Sequence, residues 1–288
     1  MIPLLTGAIA IVNSRIKSHK KRLLYEHLSK LSVPYKETQY AGDAETMAEN
    51  SDAPVIIAAG GDGTVNEVLN GIGIDKQKLL IVPAGTLNVI SHAIGNASIE
   101  SMFIRTDRLK EVDADFLDCL FRQSNGTLIK RRVLGFIACG YDGSIIKYAS
   151  GMKPLFAALR YILASWIAFF VNRPFNVTCI VNGVKSRRSV TSVMINNCGA
   201  EMFSTIKKYS LKDHMFEIKF VNLPYIFQLI YVLLCKTGFN GGYKKVSSIG
   251  LEWKNPIPVM ADGELFENVI SIAVSVKSGL KLICSLQR

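Results

Sequence analysis

Over roughly the first 120 residues, short apolar runs alternate with stretches whose apolar positions recur at helical spacing. Gly7–Val12 reads as a buried strand. Lys20–Leu31, with Leu23, Leu24, His27, Leu28 and Leu31 at helical intervals, reads as an amphipathic helix. Thr38 ends a second predicted strand, and "GDAETMAEN" (42–50) opens a helix with Asp43 as its expected N-cap and Glu45 near the positive end of the dipole. Val55–Ala59 reads as a third strand, Val65–Ile72 as the helix after it, Leu79–Val82 as a fourth strand and Thr86–Ile94 as the start of another helix. Strand–helix alternation of this kind predicts a doubly wound, mostly parallel α/β domain with helices on both faces of its sheet.

After about residue 110 the pattern changes. "RRVLGFIACG", "FNVTCIVNG", "SVTSVMINN", "MFEIKFVN", "VSSIGLEW" and "NVISIAVSV" are rich in β-branched residues and separated by Gly, Asn and Asp turns. They predict an antiparallel, β-sandwich-like second domain, interrupted by helical runs at 155–171 and 225–234. The expected division is 1–118, with 278–288 returning to it, and 119–277. A cleft between two such domains is the expected place for a ligand.

Composition narrows the function classes. With 49% hydrophobic residues the chain can build cores, and the formal charge of +11 calls for an acidic partner such as nucleotide phosphates or an anionic membrane surface. A nucleic-acid module is not expected, because the basic residues are dispersed and lack an ordered series of stacking aromatics. Cys119, Cys139, Cys179, Cys198, Cys235 and Cys284 show no metal-ligand or redox spacing, which predicts reduced thiols in a cytoplasmic protein. The N-terminus "MIPLLTGAIAIVNSRIK" lacks a positive charge ahead of its apolar part and reads as a strand rather than a signal peptide. The run at 155–171 carries Arg160 and is shorter than the ~20 residues of a spanning helix, so no transmembrane span is expected. Both apolar runs could instead lie on a membrane or be buried. His19, His27, His92 and His214 form no metal or triad spacing.

The chemistry concentrates in "AAGGDGTVNEVLNG" (58–71). Glycines between a strand and a helix let backbone approach a phosphate, and the helix N-terminus favours an anion. Thr64 could cap that helix or donate its hydroxyl. Asp62 makes sense beside phosphates if it holds Mg²⁺ or orients an acceptor hydroxyl. A second loop of the same type, "VPAGTLNVISHAIG" (82–95), again sets Gly-Thr at a strand-to-helix junction. Neighbouring loops of this kind meet at the carboxyl ends of parallel strands, where ligands bind.

These two motifs resemble the catalytic domain of the diacylglycerol kinase and sphingosine kinase superfamily of lipid kinases. The resemblance extends through "ETQYAGDAETMAE", "GFIACGYDGSIIK" and the late "PVMADGELFE" over nearly the whole chain. It implies transfer of the γ-phosphoryl of ATP to a lipid hydroxyl with Mg²⁺. Carried over by position, Asn13, Thr38, Gly60, Gly61, Asp62, Gly63, Thr64, Asn66, Glu67, Gly85, Thr86 and Asn88 would form the nucleotide site. Asp62 would also serve the metal and phosphates, and Asp262 or Glu264 would be the base for the lipid hydroxyl. The acceptor is diacylglycerol-like or related, a peripheral contact with an anionic membrane is expected, and a homodimer is compatible with the sequence.

Three segments depart from the family pattern. The usual Asn-Pro-x-Ser-Gly loop is here "VNSRIKSHKK", which keeps Asn13 and offers Lys17, Lys20, Lys21 and Arg22 either to phosphate or to solvent. Val89 stands where many relatives carry aspartate. The Asp-Asp-Gly-Leu segment associated with a structural Mg²⁺ is here Lys212–Phe216, leaving Asp213 as the metal-ligand candidate. Two alternatives to a lipid kinase therefore stand: a kinase of a soluble substrate, resembling the NAD kinases, and a nucleotide- or lipid-binding protein with weakened catalysis.

Overall fold

The computed structural model of the chain describes residues 3–104, 108–152, 157–197, 211–222 and 244–285. These fall into two compact units. The first runs to Phe116, takes in 211–213 and resumes at Lys277; the second holds the described residues of 117–197 and 214–276.

The first unit is α/β. In chain order it contains β1 (Ala8–Val12), α1 (Ser18–Lys30), β2 (Tyr35–Glu37), α2 (Asp43–Glu49), β3 (Val55–Gly60), α3 (Asp62–Gly71), β4 (Lys78–Pro83), α4 (Val89–Ala93) and α5 (Ile99–Ile104). β1 pairs in parallel with β2 and β3, and β3 pairs in parallel with β4. Every residue of β3 is buried, as a strand covered on both faces must be, whereas β2 is largely exposed at the edge. One face packs Ala10, Val12, Ile57, Ala59, Leu80 and Val82 against Leu24 and Leu28 of α1 and Met102 and Phe103 of α5.

The second unit is β-rich and antiparallel. It is built from β5 (Leu109–Gln123, which begins in the first unit), β6 (Leu128–Val133), β7 (Phe136–Gly140), α6 (Tyr141–Gly151), α7 (Ala157–Val171), β8 (Phe175–Val181), β9 (Val184–Val190), β10 (Ser192–Asn196), β11 (Phe216–Val221), β12 (Lys244–Val246), β13 (Ser248–Ala261) and β14 (Glu264–Ser285). β7 lies between β10 and β13, and β13 also pairs with β8 and β14, all antiparallel. The stacked rings of Phe121 and Phe266, 4.4 Å apart, belong to its core, with Trp253, Val177 and Leu251. β14 then runs on, and Lys281–Ile283 pair in parallel with Lys78–Leu80 of β4 in the first unit.

Several elements differ from their sequence readings. The helix after β3 starts at Asp62, so Asp62, Gly63 and Thr64 form its first turn rather than a separate loop. Asp43 is not an N-cap: Gly42, at φ 86°, precedes the helix, and the Asp43 carboxylate reaches back to accept the Gln39 N–H at 2.7 Å. The helix of the second loop begins only at Val89, because Asn88 takes a left-handed conformation at φ 51°. The apolar run 225–234 and the cysteines Cys198 and Cys235 lie outside the described residues. The four described cysteines are free and buried.

Candidate functional site

Both glycine loops of the first unit hang on the ends of β3 and β4. The N–H groups of Ala84 and Gly85 both donate to the Gly60 carbonyl at 2.9 Å, drawing the second loop onto the first. The approach is too close for side chains. A Cβ on Gly85 would stand 2.4 Å from the Cα of Gly61, and one on Gly60 would stand 2.4 Å from Thr64 Oγ1. A Cβ on Gly63 would meet nothing within 4 Å. Of these glycines, Gly63 therefore faces open space beside the first turn of α3.

Asp62 turns away from that space. Its carboxylate accepts the N–H groups of Val89 at 3.2 Å and Ile90 at 3.0 Å, tying the start of α3 to the start of α4. Burial pushes its pKa up, opposed by these two hydrogen bonds. Asn88 closes the second loop on itself: its Oδ1 accepts the Gly85 N–H at 2.8 Å and its Nδ2 donates to the Gly85 carbonyl at 3.2 Å. Lys20 also serves the loop, donating from Nζ to the Gly85 carbonyl at 2.8 Å. Lys21 is paired with Glu37.

A cavity of about 140 Å³ opens at the start of α3. It is lined by Asn13, Thr38, Gly63, Thr64 and Glu67 among the residues singled out by sequence, and also by Arg15, Tyr40 and the neighbouring 39–41 backbone. Asn13 Nδ2 donates to Thr64 Oγ1 at 2.8 Å, leaving the threonine hydroxyl a proton to give. Thr38 Oγ1 accepts the Ser14 N–H at 3.3 Å, and Glu67 accepts the Ala44 N–H at 3.3 Å. Gly61 supplies no side-chain cap to α3, so the helix N-terminus presents N–H groups to an anion. Gly60, Gly61, Asp62, Asn66, Gly85, Thr86 and Asn88 do not line this cavity: Asn66 and Asn88 are buried, and Thr86 is exposed. Arg15, passed over in the sequence among four other basic residues, is the one that reaches the cavity. Its signal was its place two residues after Asn13.

In the second unit the two late carboxylates have different surroundings. Asp262 and Gly263, at φ 43° and 88°, form a two-residue hairpin turn between β13 and β14. Asp262 is fully buried and accepts the N–H groups of Leu134 at 2.6 Å, Gly135 at 3.0 Å and Phe136 at 2.8 Å. A carboxylate held this way pins 134–136 to the hairpin. Glu264 is half-buried and pairs with Arg131 Nε at 3.2 Å. Asp213 is half-exposed, and among the described residues no group of three or more His, Cys, Asp or Glu side chains could hold a metal ion.

Residues 8–117, which hold both glycine loops, match the diacylglycerol kinase catalytic domain. The diacylglycerol kinase of Staphylococcus haemolyticus is 45% identical over 84 residues, 26% of this chain and 26% of that protein. The diacylglycerol kinase of Staphylococcus saprophyticus is 35% identical over 108 residues, 36% of this chain and 33% of that one. The chain thus spans about a quarter to a third of the length of these curated relatives. A putative diacylglycerol kinase of Bacillus anthracis has the same fold, with a TM-score of 0.71 at 20% identity over 96% of this chain and 97% of that one.

Proposed function

We propose that this chain is an ATP-dependent lipid kinase that phosphorylates the hydroxyl of a diacylglycerol-like lipid. The observation that carries the reading is the cavity at the start of α3, where Asn13, Thr38, Thr64 and Glu67 surround the open side of Gly63. Phosphoryl transfer asks chiefly for placement and charge neutralisation, and a helix N-terminus beside a side-chain-free approach supplies the first of these. Thr64 would donate its hydroxyl to a phosphate oxygen, and Arg15 would add positive charge at the rim.

Mg²⁺ bound with the nucleotide would neutralise the developing charge. The donor set fits a metal that arrives on the phosphates and keeps several waters better than a dedicated protein cage, and Asp213 would contribute one oxygen at most. In this reading Asp62 positions the second glycine loop rather than touching the metal. Glu264, the less buried of the two late carboxylates, would take the proton from the lipid hydroxyl as its oxygen bonds to the γ-phosphorus and the bond to the bridging oxygen breaks. ATP as donor implies action on the cytoplasmic side.

The test is transfer of labelled γ-phosphate from ATP to diacylglycerol, phosphatidylglycerol, monoacylglycerol and sphingosine in mixed micelles, with NAD as a soluble acceptor in parallel. A labelled lipid that disappears in Glu264→Gln, in a protein that still unfolds like the parent, supports the reading. Labelled NAD, or no labelled product from protein that binds ATP, overturns it.

A further inference from the structure

Helix α7 turns one side inward and leaves the other bare. Ala164 and Ala168 are fully buried and pack with Phe169 against Tyr141, Ile145 and Ala149 of α6. Its end is anchored through Asn172, whose Nδ2 donates to the Ala168 carbonyl at 2.7 Å and whose Oδ1 accepts the Ser144 hydroxyl at 2.8 Å. On the opposite side Leu159, Ile162, Leu163, Trp166, Ile167 and Phe170 are each between 40% and 62% exposed. Their spacing is that of a single helical stripe, so this is one continuous apolar strip on a helix held firmly from behind. Contiguous exposed apolar surface of this kind marks an interaction site.

Charge identifies the partner. From Tyr141 to Asn197 the sequence carries seven Lys and Arg residues and a single acid, Asp142, which is buried. That is +6 of the chain's formal +11 in about a fifth of its length. Arg160 lies on α7 itself, Arg173 just beyond it, and Lys185, Arg187 and Arg188 are exposed on β9 in the same unit. A second copy of the chain would bring the same positive excess against itself. An anionic lipid surface accepts both features: apolar side chains enter the headgroup boundary while basic residues remain at the charged plane. The helix has 15 residues, about 22 Å at 1.5 Å per residue, too short to cross a hydrocarbon core. Trp166 sits in the middle of the strip, and tryptophan favours the membrane interface.

We propose that the outer strip of α7 is the surface by which this chain docks, lying flat, on an anionic bilayer. The proposal does not depend on the kinase reading, and its test does not use phosphoryl transfer. The full chain is mixed with vesicles of phosphatidylcholine alone and with vesicles in which part of it is replaced by phosphatidylglycerol. Sedimentation and intrinsic fluorescence are followed in each case. The chain has two tryptophans, and Trp253 is buried with its indole N–H bonded to the Val269 carbonyl at 2.7 Å, so a vesicle-induced blue shift reports Trp166. Binding should favour the anionic vesicles, and each basic residue brought to the surface should be worth roughly fivefold in affinity. The blue shift should vanish in Trp166→Phe while sedimentation persists. Ile162→Glu with Phe170→Glu should abolish sedimentation without altering the circular dichroism or melting of the free protein. Equal binding to both vesicle types, binding that survives the paired Glu substitutions, or a dimer of the free chain that those substitutions dissolve would each overturn the proposal.

Discussion

Replacing Gly85 by alanine isolates the contact that holds the two glycine loops together. The added Cβ would lie 2.4 Å from Gly61 Cα, 2.9 Å from Gly61 N and 2.9 Å from Asn88 Oδ1. Non-bonded carbons rest near ~3.5 Å or more, so the loops must part by about 1 Å. The bonds at risk are those from Ala84 N and Gly85 N to the Gly60 carbonyl, both 2.9 Å, which would stretch past hydrogen-bonding distance. Two such bonds at ~1 kcal/mol each, with about 1–2 kcal/mol of overpacking, give a loss of roughly 3–4 kcal/mol. That is large against the usual ~5–15 kcal/mol of a folded domain but not enough to prevent folding. Gly63→Ala is the companion variant. Its Cβ meets nothing within 4 Å, so stability should hold within about 0.5 kcal/mol, while binding of a non-hydrolysable ATP analogue should weaken by at least about tenfold if phosphate enters that space. Urea unfolding followed by circular dichroism reads the first quantity and calorimetric titration the second. A Gly85→Ala protein as stable as the parent would refute the close-packing argument, and a Gly63→Ala protein with unchanged nucleotide affinity would refute the placement of the phosphates.

Three further outcomes are expected. Asp262→Ala should cost at least about 3 kcal/mol in urea unfolding, because it strands three buried N–H groups, whereas Glu264→Gln should cost under about 1 kcal/mol and lose turnover. Asp62→Asn should destabilise by about 1–2 kcal/mol, since an amide can accept from only one of Val89 and Ile90 with its oxygen; unchanged unfolding would show that the tie between α3 and α4 carries no stability. Asp113 sits between Lys212 and Lys281, which hold its pKa down from 3.8 to about 2. A depressed carboxyl contributes stability above its unfolded pKa and loses it as pH falls through the folded one. Stability should therefore drop between about pH 4 and pH 2 by an increment absent in Asp113→Asn, and matched acid-unfolding curves would contradict the pairing.

The two late carboxylates show where sequence reading ran out. Asp262 and Glu264 stand two apart in "ADGELF", equally suited on paper to serve as base. A left-handed Asp-Gly turn folds one carboxylate back onto the 134–136 backbone and leaves the other at the strand's start. Asp62 is a similar case. Its neighbours in sequence suggested phosphate or metal, yet its hydrogen bonds run to Val89 and Ile90, in the second loop. Lys20, one of a basic cluster in the sequence, spends its ammonium on the Gly85 carbonyl, while Arg15 takes the cavity rim.

What the sequence by itself determined is what depends on near neighbours. The helical and strand periodicities, the glycine-rich strand-to-helix junctions and the excess of positive charge all arise within a few residues of one another, where backbone sterics and side-chain spacing act directly. Only the tertiary structure decided which carboxylates bind backbone, which lysine braces a loop, and which stripe of α7 stays bare. Those outcomes depend on groups that chain folding brings within hydrogen-bonding distance from 27 to 128 positions away, as with Asp62 and Val89 at 3.2 Å or Asp262 and Leu134 at 2.6 Å, and no local pattern encodes such a meeting.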